Sequence, residues 1–297
     1  MRVLILGASG MIGHRMWATL GERHEAIGVL RRQELGPLSM IPGIANKKAL
    51  LGVEIQDISK LTKVIADTKP DIVLNCVGIV KQLKDSSDHM KSIALNALFP
   101  HQLAKVCADH NARMIQFSSD CVFDGLKGNY KESDFPNAQD LYGRSKALGE
   151  VDYMKNVVTM RTSSIGREVF PHGGLVEWFL SNKGKSITGY KQAIYSGFPT
   201  QRLGNIISDY IIPNKELTGV LQVAGTPIDK FSLLTMIKDH FQLNIEIMAN
   251  DQVKVERGLN FDNFSKLTGF KSPTWKEMMK DLEVDFDIYE TIRKKYV

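Results

Sequence analysis

Apolar and polar positions repeat in a regular order along the first half of the chain. Val3–Leu6 is an unbroken apolar run, the length of a strand buried on both faces. His14–Gly21 follows with Met16, Trp17 and Leu20 at helical spacing. Glu25–Leu30, Asp71–Cys76 and Met114–Phe117 repeat the strand pattern, and Val53–Ile55 predicts a shorter one. Between them, Ser59–Thr68 predicts a helix with Ser59 as N-cap, and Met90–Asn111 predicts helix interrupted at Pro100. Leu35–Asn46 has glycines, prolines and no period, which predicts a loop. Strand and helix in alternation predict the α/β class with a parallel, doubly wound sheet, whose ligands gather at the carboxyl ends of the strands.

The first strand runs directly into Gly7-Ala8-Ser9-Gly10-Met11-Ile12-Gly13. Strand, glycine turn and helix are the context that a dinucleotide motif requires, so the fold reads as Rossmann-like. Gly7 allows the turn, Gly10 lets backbone approach a pyrophosphate, and Gly13 lets the helix pack on the strand. Ser9, Met11 and Ile12 complete the candidate phosphate loop at the positive end of the helix dipole. The tip of the second strand carries Arg31-Arg32 and no acidic residue. An arginine there accommodates the 2′-phosphate of NADP, so NADP(H) is the preferred cofactor and NAD(H) is left open. The other reading of this pair is a solvated basic surface.

From Ile165 the alternation loosens. The division is a dinucleotide-binding domain over 1–165 and a smaller α/β substrate-binding lobe over 166–297, with segments returning to the sheet. Leu175–Leu180 predicts a largely buried helix, in which Trp178 either packs in the core or stacks on a base. Lys191–Arg202 reads as a loop crossing the cleft, Gln222–Ala224 as a returning strand, and Phe231–Phe241 and Trp275–Leu282 as helices.

Bulk properties narrow the classes. The chain has 297 residues and a net charge of +5 with no basic block, which fits an anionic small ligand better than nucleic acid. Apolar runs are too short to span a bilayer, and the N-terminal run reads as the first strand rather than a signal peptide. Cys76, Cys107 and Cys121 lack metal-type spacing and sit in apolar segments, as reduced thiols of a cytoplasmic protein would. No histidine shows ligand spacing, so no metal is expected.

The candidate chemistry lies in Leu141-Tyr142-Gly143-Arg144-Ser145-Lys146, which opens a helix after a turn-rich stretch. Tyr142 and Lys146 are four apart and share a helical face. An ammonium near the phenol would lower its pKa, and the neutral phenol is a proton donor for ketone reduction. Ser119, just past a strand end, can donate to a carbonyl oxygen. A serine-hydrolase triad is not expected, since no G-x-S-x-G elbow encloses a serine and no histidine is placed to act as base.

These residues together resemble the extended short-chain dehydrogenase/reductases. The motifs are the glycine loop, Asn75-Cys76-Val77-Gly78, Asn96, Ser119, and Tyr142 with Lys146. Ser118-Ser119-Asp120-Cys121-Val122-Phe123-Asp124-Gly125, the Tyr142 segment and Arg161-Thr162-Ser163 are similar to the dTDP-4-dehydrorhamnose reductase branch. The resemblance implies a nucleotide-sugar substrate and hydride transfer between a nicotinamide and a keto carbon. It implies Tyr142 as acid, Lys146 as its tuner and a ribose ligand, Ser119 as carbonyl donor, and Asn96 supporting Lys146 through water. Asp57 and Ile58 would border the adenine, and Asn75, Cys76, Val77 and Gly78 would line the cofactor.

Candidates for the substrate side are Lys81, Asp120, Phe123, Trp178 and Arg257, besides Ser119. Arg257 falls where the family often places a diphosphate-binding arginine; a surface ion pair is the other reading. The family's dehydratases have an acid–glutamate pair after the serine position, whereas here Asp120 precedes Cys121, which disfavours dehydration. The resulting expectation is an NADPH-dependent reductase of a nucleotide-diphospho-4-keto-6-deoxysugar in surface-polysaccharide precursor synthesis. A UDP-sugar epimerase with bound NAD and a non-catalytic regulatory subunit are the alternatives, and a homodimer is left open.

Overall fold

The computed structural model describes residues 1–80, 87–171 and 173–296. Lys81, expected near the substrate, lies outside them. A seven-stranded sheet consists of β1 (Arg2–Leu6), β2 (Glu25–Val29), β3 (Ala49–Leu50), β4 (Ile72–Asn75), β5 (Arg113–Phe117), β6 (Val157–Arg161) and β10 (Gly219–Gln222). Its order is β3-β2-β1-β4-β5-β6-β10, with every pairing parallel. Strand order reverses between β1 and β4, which opens a crevice at their carboxyl ends.

The apolar runs read from the sequence are buried on both faces. Val3 and Ile5 point into one core with Met16, Trp17 and Leu20 of α1 (Met11–Leu20). Leu4 and Leu6 point into the other, against Leu61 and Ile65 of α2 (Ile58–Thr68). One strand thus anchors helices on both sides of the sheet.

The Met90–Asn111 stretch resolves into α3 (His89–Ser92), widened π-type turns over Ile93–Leu98, and α4 (Phe99–Asp109). Pro100 is the reason for the widening. It has no N–H for the carbonyl of Asn96, four residues back. That carbonyl instead comes so close to Gly149 that a Cβ there would sit 1.9 Å from it.

A three-stranded sheet stands apart: β11 (Ile228–Asp229), β8 (Ser186–Tyr195) and β12 (Glu246–Glu256), in the order β11-β8-β12. A short pair, β7 (Ser164–Ile165) and β9 (Phe198–Pro199), adjoins α7 (Thr200–Ile206). Other helices are α5 (Leu141–Leu148), α6 (Leu175–Leu180), α8 (Lys230–His240), α9 (Asp262–Thr268), α10 (Trp275–Glu283) and α11 (Phe286–Tyr296).

Several boundaries differ from the sequence reading. Pairing with β2 occurs at Ala49–Leu50, while Val53 and Ile55 pack against the second core from a loop. The carboxylate of Asp57, not Ser59, caps α2 by accepting from the Ser59 and Lys60 N–H groups. Lys191–Arg202 is no loop: it completes β8, forms β9 and enters α7.

Gly13 is the tightest point of the turn. A Cβ there would lie 2.1 Å from the Gly7 carbonyl oxygen, so strand and helix must separate to admit it. Gly13→Ala is expected to lose about 1–3 kcal/mol, read from the urea unfolding midpoint; an unchanged midpoint would contradict this packing.

Candidate active site

The glycine turn forms one wall. Gly7 has φ +72° and its carbonyl accepts from the Gly10 N–H at 3.0 Å. Gly10 starts α1 with no side-chain cap, so the first-turn N–H groups lack an internal acceptor. A Cβ on Gly10 would meet nothing nearer than 3.5 Å. The protein itself therefore does not demand a glycine here. The space in front of it is open, and the uncapped positive end of the helix dipole favours an anion there. Ser9, Met11 and Ile12 are half-buried around this cradle.

The end of β4 forms the next wall. Asn75 is buried; it donates to Gln116 at 2.7 Å and accepts from the Val77 N–H at 3.1 Å. Cys76 and Val77 close on Gly7, whose Cβ would meet the Cys76 carbonyl oxygen at 3.0 Å. Asn96 grips Ile79 by both backbone groups, at 2.9 and 3.0 Å, and donates to Ser145 at 3.2 Å. It thereby fixes the loop containing Gly78 to α5.

At the tip of β2, both arginines are exposed. Arg32 lies flat over Phe170, 3.6 Å from the ring centroid. Arg31 has no ion pair or hydrogen bond among the described residues, which leaves its guanidinium available for an anion. The Asp57 carboxylate is engaged in capping α2, and Ile58 packs against the second core.

The third wall carries Ser119, Tyr142 and Lys146. A Cβ on Gly143 would be 2.2 Å from the Cys121 carbonyl oxygen, so α5 is pressed onto the turn after β5. The Asp140 carboxylate caps α5 by accepting from the Gly143 N–H at 2.9 Å. Tyr142 is thereby set beside Ser119, to which its phenol is hydrogen-bonded. Ser119 also donates to Asp120 at 3.0 Å and accepts from the Cys121 N–H at 3.1 Å. Lys146 is buried one turn along and donates to the Phe117 carbonyl at 2.5 Å.

Burial dominates the electrostatics. It pushes the Tyr142 phenol well above its ordinary value, against the lowering expected from a nearby cation. It also raises the Asp120 carboxyl. Desolvation lowers Lys146 to about 8, with Glu150 and Cys76 pulling it back up. Glu150 stands four residues beyond Lys146, a spacing visible in the sequence but not used above. It is paired with Arg161 at 2.7 Å and accepts from Ser118 at 2.7 Å, beneath the site.

The substrate candidates diverge. Asp120 lies at the site, within the electrostatic reach of Arg257. Arg257 donates to the carbonyls of Phe123 and Asp124 at 2.9 and 3.4 Å and has no direct carboxylate partner among the described residues. Phe123 is a correction: it is fully buried, stacked on Tyr130 at 4.1 Å, and only its carbonyl takes part. Trp178 is 41% exposed, which leaves its ring outside the core. Among the described residues, no cluster of histidine, cysteine or carboxylate side chains could hold a metal, and no helix is long and apolar enough to cross a membrane.

Residues 1–174 match the RmlD substrate binding domain family. The chain belongs to that family. Over 152 residues it is 32% identical to the probable low-salt glycan biosynthesis reductase Agl14 of Haloferax volcanii, covering 50% of this chain and 48% of that protein. Methionine adenosyltransferase 2 subunit beta of Bos taurus is 29% identical over 161 residues, covering 52% and 43%. The chain thus matches less than half the length of these curated relatives. A solved dTDP-4-dehydrorhamnose reductase from Bacillus anthracis, in complex with NADP, superposes with a TM-score of 0.76 at 20% identity, covering 96% of this chain and 98% of that one.

Lys146 titrates near pH 8 and is cationic below that value. Any reaction that needs its ammonium is expected to slow as pH rises through about 8, seen as a single descending limb in kcat/KM. A profile flat from pH 7 to about 9.5 would remove this role.

Proposed function

We propose that the chain reduces the 4-keto group of a nucleotide-diphospho-6-deoxysugar, using NADPH. The observation that carries this reading is the meeting of Ser119, Tyr142 and Lys146 beside the open glycine cradle, all at the carboxyl edge of one parallel sheet. Gly7, Ser9, Gly10, Met11, Ile12 and Gly13 would hold the pyrophosphate. Asn75, Cys76, Val77 and Gly78 would border the nicotinamide half, with Asp57 and Ile58 at the adenine. Arg31 would take the 2′-phosphate, with Arg32 stacked behind it. A bound dihydronicotinamide supplies the hydride.

The residues supply the rest. Tyr142 stays neutral at physiological pH because burial raises it, so its hydroxyl donates a proton to the carbonyl oxygen as that oxygen gains charge. Ser119 steadies the same oxygen by turning its hydroxyl from Asp120. Lys146, as an ammonium, offsets the phenolate that remains. Arg257, bonded among the described residues to neutral carbonyls, offers a cation to the diphosphate, and exposed Trp178 offers a stacking face to the base. Asp120-Cys121 lacks the glutamate needed for water loss, which favours reduction over dehydration.

The likeness to an adenosyltransferase subunit supports a second reading, a cofactor-binding regulatory chain. The intact serine, tyrosine and lysine favour the enzyme. Incubation with NADPH and a panel of 4-keto nucleotide sugars is expected to give a product two mass units heavier, with one NADP+ released per sugar. No product from any member would overturn the reductase reading. Tyr142→Phe is expected to lower kcat by about 100-fold or more while retaining NADPH binding. Arg31→Ala is expected to weaken NADPH about 10-fold and NADH little, measured as Kd; equal effects would remove the 2′-phosphate role.

A further inference from the structure

The helix α11, nearly three hundred residues from the glycine cradle in sequence, reaches it through a chain of hydrogen bonds that the chemistry above does not use. His14 is fully buried on α1. Its Nδ1 lies 2.7 Å from the Gly10 carbonyl oxygen, and its Nε2 lies 2.6 Å from the Tyr289 hydroxyl. A carbonyl oxygen only accepts, so Nδ1 carries the proton. Burial, then the Arg15 charge, lowers the imidazole to about 3, so the ring is neutral and Nε2 is a bare acceptor. Tyr289 must therefore donate to it. The phenol oxygen in turn accepts from Arg15 at 2.6 Å, and Arg15 is paired with Asp285 at 3.0 Å. Every proton runs one way: Arg15 to Tyr289, Tyr289 to His14, His14 to Gly10.

The end of this chain is a peptide that faces the ligand. The Gly10 carbonyl and the Met11 N–H belong to one planar trans peptide and point in opposite directions. The carbonyl is held from below by two donors, the His14 ring and the His14 N–H at 3.0 Å. Holding it inward aims the Met11 N–H outward, into the space that Gly10 leaves open. The far end is braced as well. Arg167 pairs with Glu290 of α11 and with Glu177 of α6, and Arg293 of α11 pairs with Glu177.

We propose that His14 and Tyr289 are positioning residues for the dinucleotide pyrophosphate, fixing the Gly10–Met11 peptide from the C-terminal helix. The proposal rests on the reading of the glycine cradle as an NAD(P) site. A helix that merely packed would need neither the hydroxyl nor the imidazole. Tyr289→Phe retains the ring beneath Arg15 and Arg167 but removes the hydroxyl that donates to His14 and accepts from Arg15.

The test is direct titration of NADPH by its nicotinamide fluorescence, followed by steady-state kinetics. Wild type binds; failure to bind NADPH or NADH would overturn the cradle reading and this proposal with it, before any variant is made. Tyr289→Phe is expected to raise Kd about 5- to 20-fold, with the loss falling on the cofactor KM and not on kcat. Wild-type affinity in this variant would overturn the proposal alone. Should Tyr289→Phe fail to fold, His14→Asn and His14→Leu decide. The asparagine amide can still donate to Gly10 and is expected to bind NADPH several-fold more tightly than the leucine variant; equal affinity in the two would overturn the proposal.

Discussion

The contact between Gly13 and the Gly7 carbonyl governs where the rest of the site can be. It brings α1 to the end of β1 without a side chain between them, so the first-turn N–H groups open onto the β1–β4 crevice. The same device recurs twice at the carboxyl edge. Gly143 seats α5 on the turn that carries Ser119, and Gly149 seats its far end on the widened turn that carries Asn96. In each case an added Cβ would come within about 2 Å of a carbonyl oxygen, at 2.1, 2.2 and 1.9 Å. Three backbone approaches thus fix the glycine turn, Tyr142 and the loop between them relative to one sheet.

Within that frame, low water access decides the protonation states. Tyr142 and Asp120 are pushed up and Lys146 down, each toward its neutral form. Charging any of the three in this pocket therefore costs more than it would in water, and Tyr142 holds its proton until a neighbouring oxygen gains charge. Arg31 and Arg257, which have no carboxylate ion pair among the described residues, flank that centre, where anionic ends of a cofactor and a substrate would be met. The Glu150–Arg161 pair underneath keeps a negative charge within reach of Lys146 and holds it partly cationic.

Much of this was legible from residue order. The strands of the parallel sheet are apolar runs bounded by turn residues, and the glycine loop, Ser119 and the tyrosine–lysine pair are local motifs, so short-range patterns reveal them. What escaped was set by distant contacts. Val53 and Ile55 look like a strand because they are apolar, yet they fill a core from a loop while Ala49–Leu50 pairs with β2. The strand β12 went unread because most of its residues are exposed and its polar and apolar positions do not alternate; its partner β8 supplies the order. Phe123 looked like a substrate contact from its motif, but Tyr130 takes its face. His14 carried no signal at all, since its partner lies 275 residues away.

The central claim is that one pocket delivers a hydride and a proton to the two ends of a sugar carbonyl. The most direct measurement uses NADPH carrying deuterium at the transferable position of C4, with the product sugar examined by mass spectrometry and NMR. The account predicts one deuterium bonded to the sugar carbon that was the ketone, in step with cofactor oxidation. Deuterium left on the cofactor, or a product labelled only by solvent, would contradict it.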